Sequence, residues 1–418
     1  MGFVVSSIAT LAVESIRYLF TRDQLGLVTN LSNSLLCRNV FYVKILQAVS
    51  ADCQLLDQPA IDYLTKYTDN VDHTEEEVRL DTLDQLVSRG IRLRRDDNGY
   101  IVSNSGMVSL VYRGHIVVGE DRREVAVKVM RRGIESKLAI ALEEMEALVY
   151  ALSLFPSIKS LNLHALFHEN RAGLLEQLDY WKEVENIDML YNLNRGLDYV
   201  AVPKTYPKFT KGLEGHAIVM DYLVGRKLQE LRDEEKAPYS ACLAKFDVKC
   251  LLFDGVFHGD FHQGNILFMG NMDEPRIGVI DMGVLCTLTR DEQNDFYQFF
   301  QAILSRDYRG AADSILRTSA EPREKVEAII ADEAAVLITR LAELLRKVVE
   351  MSGGCGMTDI NGLNSVLREY DLRLTKLFCR IQFSLALAEG VHRGLETERN
   401  FVEELELACT KLFPTELI

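Results

Sequence analysis

The residues best suited to catalysis lie near the middle of the 418-residue chain, in the stretch from Phe257 to Leu267 and just beyond it. Asp260 is followed by Asn265, and Asp281 comes after two short apolar segments. Phosphoryl transfer needs a divalent metal held by hard oxygen ligands and a carboxylate that faces the acceptor hydroxyl. We therefore predict that Asn265 and Asp281 are magnesium ligands and that Asp260 is the catalytic base or orients the hydroxyl.

Each half of this motif has a second interpretation. His258-x-Asp260 alone is also typical of a buried polar turn, and Asp281 alone is also typical of a cap at a strand end. The two halves occur in the right order and are joined by strand-like runs at 266–269 and 276–280. The joint pattern therefore favours a phosphotransferase site over the two separate structural interpretations.

Lys128 is the candidate for a phosphate-binding cation. It lies in the apolar run Glu124–Met130, where the period-two alternation places it on the same side as apolar residues. Burying an unpaired lysine costs several kcal/mol, so this amine needs a counter-charge or an anion. Asp179 and Glu183 stand one helical turn apart, and either could reach it. We predict a phosphate-binding Lys128 paired with Glu183; the alternative is an edge-strand lysine that extends to solvent.

Hydrophobic periodicity predicts the elements that must position these residues. Residues 1–95 have apolar positions at helical spacing and predict an N-terminal helical extension. Between residues 96 and 222, a small lobe with an antiparallel sheet and inserted helices is predicted, with five strands at 100–103, 108–118, 124–130, 197–202 and 215–222. Residues 223–418 are mostly helical in pattern. The fold class is therefore predicted as α+β, with a small sheet lobe and a large helical lobe.

Composition limits the partners and the environment. A formal net charge of −15 argues against nucleic-acid binding, because phosphate backbones attract Lys and Arg. The short basic clusters, including Arg131 and Arg132, are interpreted as solvated faces of strands, and phosphate contact near Lys128 is the alternative. The eight cysteines form no CxxC pair and no zinc-like spacing with the histidines, which favours a reducing intracellular compartment and no structural metal.

Membrane contact is expected to be peripheral at most. No run of eighteen apolar residues occurs, so no transmembrane segment is predicted and the chain is expected to be soluble or peripherally attached. Met1 to Ser6 matches the loose pattern for N-myristoylation. A docked N-terminal helix is the alternative interpretation of the same residues.

Three segments resemble the UbiB-like atypical kinase family, whose protein-kinase-like members are tied to coenzyme Q and other isoprenoid-lipid metabolism. Val125 to Val129 resembles the family's VAVKV segment, His258 to Leu267 its H-x-D-x-H-P-G-N-I-L loop, and Glu389 to Leu395 its EG-V-x-R-x-L helix. The resemblance is collinear over roughly residues 35–412 and implies a bilobal protein-kinase-like fold that uses ATP and magnesium. It also implies catalytic roles for Lys128, Glu183 and Asp260, with Asn265 and Asp281 as metal ligands.

The nucleotide contacts are expected in two segments. The family's alanine-rich nucleotide loop corresponds to residues 104–109, which implies contacts from Ser105, Gly106 and Val108 even though the alanines are absent. The segment that begins at Asp221 is interpreted as the linker into the helical lobe. Its backbone, at Asp221 and Leu223, is the candidate for binding an adenine edge.

The resemblance also implies a regulatory extension. Lys44 and Gln47 stand for the family's K-x-G-Q motif, on a helical extension that folds over the active site and restricts peptide substrates. Leu46 replaces the glycine that would allow close helix approach. Gln177 replaces the first carboxylate of a Glu-x-Asp motif that would meet Lys44, which leaves Asp179 in that role.

Three functions are consistent with these residues. The first is a UbiB-like atypical kinase or ATPase with a lipid or isoprenoid small molecule as partner, a setting that comes from the resemblance alone. The second is a small-molecule or protein kinase with an open substrate cleft, which Leu46 and Gln177 favour. The third is a nucleotide-binding pseudokinase scaffold without turnover, which the altered nucleotide loop favours.

Overall fold

The computed structural model describes residues 2–36, 39, 41–42, 63, 71–153, 167, 171, 173–213, 215–332, 334–352, 357–395 and 398–412. The chain forms two compact units: unit 1 comprises Met1–Asp188 and Lys204–Tyr222, and unit 2 comprises Met189–Pro203 and Leu223–Ile418. The domain limits 1–95, 96–222 and 223–418 stay a prediction. Lys44 and Gln47 lie outside the described residues.

Unit 1 combines an antiparallel sheet with helices. Its described residues form the helices α1 (Gly2–Thr21), α2 (Gln24–Leu36), α3 (Leu80–Ser88) and α4 (Ile134–Ser153), and α5 (Tyr180–Asn194) begins in it. Its strands among the described residues are β1 (Arg92–Leu93), β2 (Arg95–Asp96), β3 (Gly99–Tyr100), β4 (Val102–Ser105), β5 (Ser109–Val118), β6 (Asp121–Met130) and β8 (Ala217–Asp221). The strand between β6 and β8 in the sequence, β7 (Val200–Ala201), belongs to unit 2. The main sheet has the order β1-β5-β6-β8, and β4 also pairs with β5.

The hairpin of β5 and β6 is the centre of unit 1. It is paired from Ser109↔Met130 to Val118↔Asp121, and Gly119 at its turn has a φ of 65°, a conformation that favours glycine. Residues 125–130 are all buried, because β6 lies between β5 and β8. The edge-strand alternative for Lys128 is therefore wrong: its strand is central.

Unit 2 is mainly helical. Its helices are α6 (Asp233–Val248), α7 (Arg290–Leu304), α8 (Tyr308–Thr318), α9 (Arg323–Asp332), α10 (Ala334–Lys347), α11 (Met357–Arg368), α12 (Lys376–Gly394) and α13 (Phe401–Leu412). Its further strands are β9 (Val256–His258), β10 (Ile266–Gly270), β11 (Pro275–Val279), β12 (Leu285–Thr287), β13 (Ala320–Glu321) and β14 (Arg373–Leu374). They form the small sheets β10-β11-β7, β12-β9 and β13-β14.

Capping residues explain where the helices after Asp281 begin. The Thr289 hydroxyl accepts the Glu292 N–H at 3.2 Å before α7, and an Asp307 carboxylate oxygen accepts the Gly310 N–H at 2.9 Å before α8. Apolar side chains of α8 and α10 pack into the core of unit 2. Among the helices that the structure describes, none is long and apolar enough to cross a membrane.

The strand predicted at 197–202 does not close the sheet of unit 1, so that prediction is wrong. Only Val200–Ala201 is extended, and it pairs in parallel with β11 of unit 2, with Val200 opposite Ile277. The Arg276 side chain also donates to the Val200 carbonyl at 2.8 Å. A short apolar run predicts a strand but cannot identify its pairing partner.

Candidate functional site

Lys128 and Glu183 form a buried ion pair in unit 1. Lys128 lies between Val111 and Ile218 of the neighbouring strands, and Glu183 is in the first turn of α5. Lys128 Nζ donates to Glu183 Oε1 at 2.6 Å, with only 10% and 2% of the two side chains exposed. The Tyr180 ring centroid lies 5.5 Å from the same nitrogen. A carboxylate and an aromatic ring therefore hold the amine in one place.

Stability alone gives little reason for this ion pair. Desolvation costs several kcal/mol for each ion, and replacing a buried pair by apolar residues is often neutral or stabilising. An amine that also contacts substrate phosphates has a functional reason to be buried on a central strand. The phosphate-binding role of Lys128 stays a prediction.

The predicted nucleotide loop, residues 104–109, contains the connection from β4 to β5 in unit 1. The Gly106 N–H donates to the Ser109 carbonyl at 2.9 Å, which closes a tight turn. The Ser105 hydroxyl donates to the Val71 carbonyl at 2.5 Å. Because that hydroxyl is engaged within unit 1, the loop offers a ligand mainly its backbone groups. Nucleotide contact by Ser105, Gly106 and Val108 stays a prediction.

The two predicted adenine contacts lie in different units. Asp221 ends β8 in unit 1, where its carboxylate accepts the Tyr206 hydroxyl at 2.6 Å and the Lys204 N–H at 3.2 Å. The Asp221 side chain therefore connects the segment that contains Lys204 and Tyr206 to β8. Leu223 belongs to unit 2 and packs close to Gly278. Their backbone groups remain the predicted contacts.

Asp179 directly precedes α5, the helix that carries Glu183. Its Oδ1 accepts the Lys182 N–H at 3.0 Å, and its carbonyl accepts the Glu183 N–H at 3.0 Å. These contacts are typical of a residue that caps a helix N-terminus. The predicted regulatory role of Asp179 with Lys44 and Gln47 stays a prediction, because the latter two lie outside the described residues.

In unit 2, His258 connects the two halves of the predicted catalytic motif. Its Nδ1 accepts the Asp260 N–H at 3.1 Å, and its Nε2 contacts the Asp281 carbonyl oxygen. Burial lowers the pKa of His258, so the ring is neutral near pH 7. A neutral ring can accept at Nδ1 while it donates at Nε2. His258 therefore fixes the backbone of both aspartates.

Asn265 and Asp281 present the hard oxygen atoms that magnesium prefers. Asn265 Nδ2 donates to the Asp260 carbonyl at 2.9 Å, so Oδ1 is the amide atom suited to a cation. Asp281 Oδ1 accepts the Gly283 N–H at 2.9 Å, and the Ile280 N–H donates to the Asn265 carbonyl at 3.1 Å. Within the described ranges, no three His, Cys, Asp or Glu residues are grouped to hold a metal. The predicted ligands would therefore share magnesium with phosphate and water oxygens.

Residues that the sequence did not single out support this stretch. A Cβ on Gly259 would lie 2.6 Å from the Val284 side chain, so only glycine fits there. The hydroxyl of Ser384, in α12, donates to the His258 carbonyl at 2.6 Å. Lys227 Nζ donates to the Gly264 carbonyl at 2.5 Å. Ser384 and Lys227 are distant in sequence, and no local pattern indicates their contacts.

A small cavity next to this stretch contains a buried acid. Asp247, Cys250, His258 and Ser384 line it together with apolar side chains. The Oδ2 atom of Asp247 is enclosed and has no hydrogen-bond partner among the described residues. Burial raises the pKa of Asp247 well above its usual range, and it also raises the pKa of Cys250. The folded protein is therefore expected to keep a proton on Asp247 where the unfolded chain has lost it.

We predict that Asp247→Asn stabilises the protein near neutral pH. The stability that the protonated carboxyl contributes is complete below its unfolded pKa, about 3.9, and is lost as pH rises through the folded pKa. Each unit of difference between the two pKa values costs about 1.4 kcal/mol. In urea unfolding from about pH 4 to 8, the advantage of Asp247→Asn should grow with pH. The exposed Asp273→Asn should follow the parent; a pH-independent difference for Asp247→Asn would contradict the prediction.

Comparison with known proteins identifies relatives over most of the chain. The sequence model described as "ABC1 atypical kinase-like domain" matches residues 105–315. A chloroplastic protein of Arabidopsis thaliana, named as an uncharacterized aarF domain-containing protein kinase, is 25% identical over 363 residues, 85% of this chain and 49% of that protein. A "Probable protein kinase UbiB" of Aeromonas salmonicida is 26% identical over 299 residues, 70% of this chain and 53% of that protein. The chain thus spans about half the length of the curated relatives it matches.

Similarity to a solved structure extends over nearly the whole chain. The complex of the Mycobacterium tuberculosis protein Rv3197 with erythromycin has a TM-score of 0.50 and 15% sequence identity. The alignment covers 97% of each chain. At this identity the likeness concerns the fold alone.

Proposed function

We propose that this chain, which belongs to the ABC1 atypical kinase-like family, binds ATP with magnesium and transfers or hydrolyses the terminal phosphate of ATP. The family membership implies a kinase-like, UbiB-like protein. The observation that carries the proposal is the ion pair of Lys128 and Glu183, 2.6 Å apart and buried on a central strand. A fixed positive charge of this kind can donate hydrogen bonds to the oxygens of a polyphosphate, which supports the proposal.

The proposed roles follow from the contacts of each side chain. The Lys128 amine would donate to phosphate oxygens while Glu183 keeps it oriented. The Asp260 carboxylate would accept a hydrogen bond from the acceptor hydroxyl or from water. Asn265 and Asp281 would hold magnesium, which when bound neutralises charge on the phosphate oxygens. His258 would hold the backbones of Asp260 and Asp281 at a fixed separation, because it contacts both.

We further propose that the acceptor belongs to isoprenoid-lipid metabolism, as in coenzyme Q biosynthesis. The support is the similarity to proteins named UbiB, at 26% identity or less, together with the motifs at Val125 to Val129 and Glu389 to Leu395. The open-cleft kinase and the scaffold without turnover remain the alternatives. Transfer of labelled phosphate to isoprenoid lipids, to a metabolite panel or to peptides distinguishes them, and binding without phosphate release would favour the scaffold.

The proposal predicts that ATP stabilises the intact protein only with magnesium. A ligand at 100 times its Kd stabilises the folded state by about 2.7 kcal/mol, which raises the unfolding midpoint by several degrees. Thermal unfolding with ATP and magnesium should show this shift, and chelation of magnesium should abolish it. Lys211→Met, which removes an exposed lysine of unit 1, should leave the shift unchanged. Equal midpoints with and without ATP would contradict the proposed function.

A further inference from the structure

Arg131 is the most buried charged side chain near the predicted nucleotide loop. It follows β6 directly and is only 2% exposed. Its interpretation as part of a solvated strand face is therefore wrong. The side chain of the next residue, Arg132, is 55% exposed and pairs with Asp81 at 2.7 Å. The two neighbours thus differ in environment although they carry the same charge.

The Arg131 guanidinium joins two segments that are distant in sequence. Nη1 donates to the Asp72 carbonyl at 2.9 Å and to Glu77 Oε2 at 2.8 Å. Nη2 donates to the Val71 carbonyl at 2.9 Å and to the Ser105 hydroxyl at 2.7 Å. We name this set of contacts the Arg131 clamp. It connects the segment 71–77, which lies in the predicted N-terminal extension, to the start of the predicted nucleotide loop.

Backbone hydrogen bonds reinforce both ends of the loop at the same place. The Val71 N–H donates to the Ser105 carbonyl at 2.8 Å, and the Arg131 N–H donates to the Val108 carbonyl at 2.9 Å. The Ser105 hydroxyl donates to the Val71 carbonyl at 2.5 Å while it accepts from the guanidinium. The conformation of the loop therefore depends on contacts that converge on Arg131.

The carboxylate side of the clamp is also shared. Glu77 contacts Lys137 at the start of α4 as well as Arg131, and its Oε2 accepts the Thr74 N–H at 3.2 Å. A buried guanidinium is costly unless its charge is paired and its donors are satisfied. The segment 71–77 supplies Arg131 with a carboxylate and two carbonyl oxygens. Displacing this segment would therefore release the Ser105 end of the loop at the same time.

We propose that Arg131 is a positioning residue that sets nucleotide affinity by tying the loop of residues 104–109 to the segment 71–77. The inference rests on the proposed function, because it assigns this loop to nucleotide binding. Arg131 acts through the loop and not by touching phosphate, since Nη1 and Nη2 donate to protein oxygens and Nε is enclosed, with no hydrogen-bond partner among the described residues. Prebuilt loop geometry lowers the ordering cost of binding, so loosening the loop should weaken affinity more than turnover at saturation.

The test compares Arg131→Lys, Ser105→Ala and the matched control Arg132→Ala. Lys keeps the charge but cannot reproduce the forked contacts, and Ser105→Ala removes only the hydroxyl that links Arg131 to Val71. Amide hydrogen exchange of residues 104–109 without nucleotide should speed up in both variants. The KM for ATP should rise about tenfold in Arg131→Lys and less in Ser105→Ala, with kcat at saturation within about twofold. Arg132→Ala should match the parent in both measurements.

The outcomes distinguish failure of the proposed function from failure of the positioning role of Arg131. If the intact protein does not bind ATP, the proposed function fails and the inference fails with it. If the intact protein binds ATP but folded Arg131→Lys keeps the parent's KM and loop protection, the inference alone is overturned. If Arg131→Lys does not fold, Ser105→Ala decides: parental exchange and KM in that variant overturn the inference. A proportional loss of kcat with unchanged KM would also overturn it.

Discussion

Lys128→Met is expected to weaken ATP binding by about tenfold to a hundredfold, and removal of the Glu183 charge should not restore it. A hydrogen bond to a charged group is worth about 1.5 to 3 kcal/mol, and each 1.4 kcal/mol is a factor of ten in affinity. The amine is already oriented by Glu183 at 2.6 Å. Loss of that oriented donor should therefore appear directly in the Kd for ATP, measured by titration calorimetry with magnesium present.

Stability must be separated from binding in this experiment. Lys128→Met leaves Glu183, whose side chain is 2% exposed, without its cation, and breaking a buried pair in this way costs about 3 to 5 kcal/mol. The double variant Lys128→Met/Glu183→Gln removes both charges, so its unfolding midpoint should return toward that of the parent. If the double variant also regains the parent's ATP affinity, Lys128 is only a structural partner of Glu183, and its role in phosphate binding is contradicted.

Local patterns were sufficient to predict the fold class and the family. The α+β, bilobal kinase-like fold is confirmed, as is the resemblance to UbiB-like atypical kinases. The strands β5 and β6 lie where period-two alternation predicts strands at 108–118 and 124–130, and α7 and α8 lie in the region predicted to be mostly helical. These signals act between residues close in sequence, so a single sequence contains them.

Features that depend on distant partners could not be predicted in the same way. Val200–Ala201 reads as a strand, but hydrogen bonding with β11 decides which unit it joins. Arg131 and Arg132 are indistinguishable in sequence, yet the carboxylate of Glu77 and the carbonyls of the segment 71–77 bury only the first. Asp247 lies on a helix whose pattern gives no sign that one acid faces an enclosed cavity. Their environments arise from tertiary packing, which overrides local periodicity.

Asp260→Asn is expected to reduce turnover by about a hundredfold to ten-thousandfold while ATP affinity changes little. Removing a general base or hydroxyl-orienting carboxylate costs this much in rate, whereas the ATP phosphates are assigned to Lys128 and the metal ligands. The contacts of Asp260 with His258 and Asn265 are made through its backbone, so the substitution leaves them in place. Its carboxylate lies 3.8 Å from His262 Nε2, a contact that the side-chain oxygen of asparagine can keep. The unfolding midpoint should therefore stay close to that of the parent.

Asp281→Asn gives the comparison that assigns the two aspartates different roles. Its loss of a carboxylate should raise the magnesium concentration needed for half-maximal ATP binding, a change that Asp260→Asn should not show. Asp273→Asn, an exposed substitution in the same unit, should match the parent in both assays. Turnover in Asp260→Asn equal to that of the parent would refute its catalytic assignment. The same magnesium requirement in Asp281→Asn and the parent would refute metal binding by Asp281, because a lost ligand must weaken the metal.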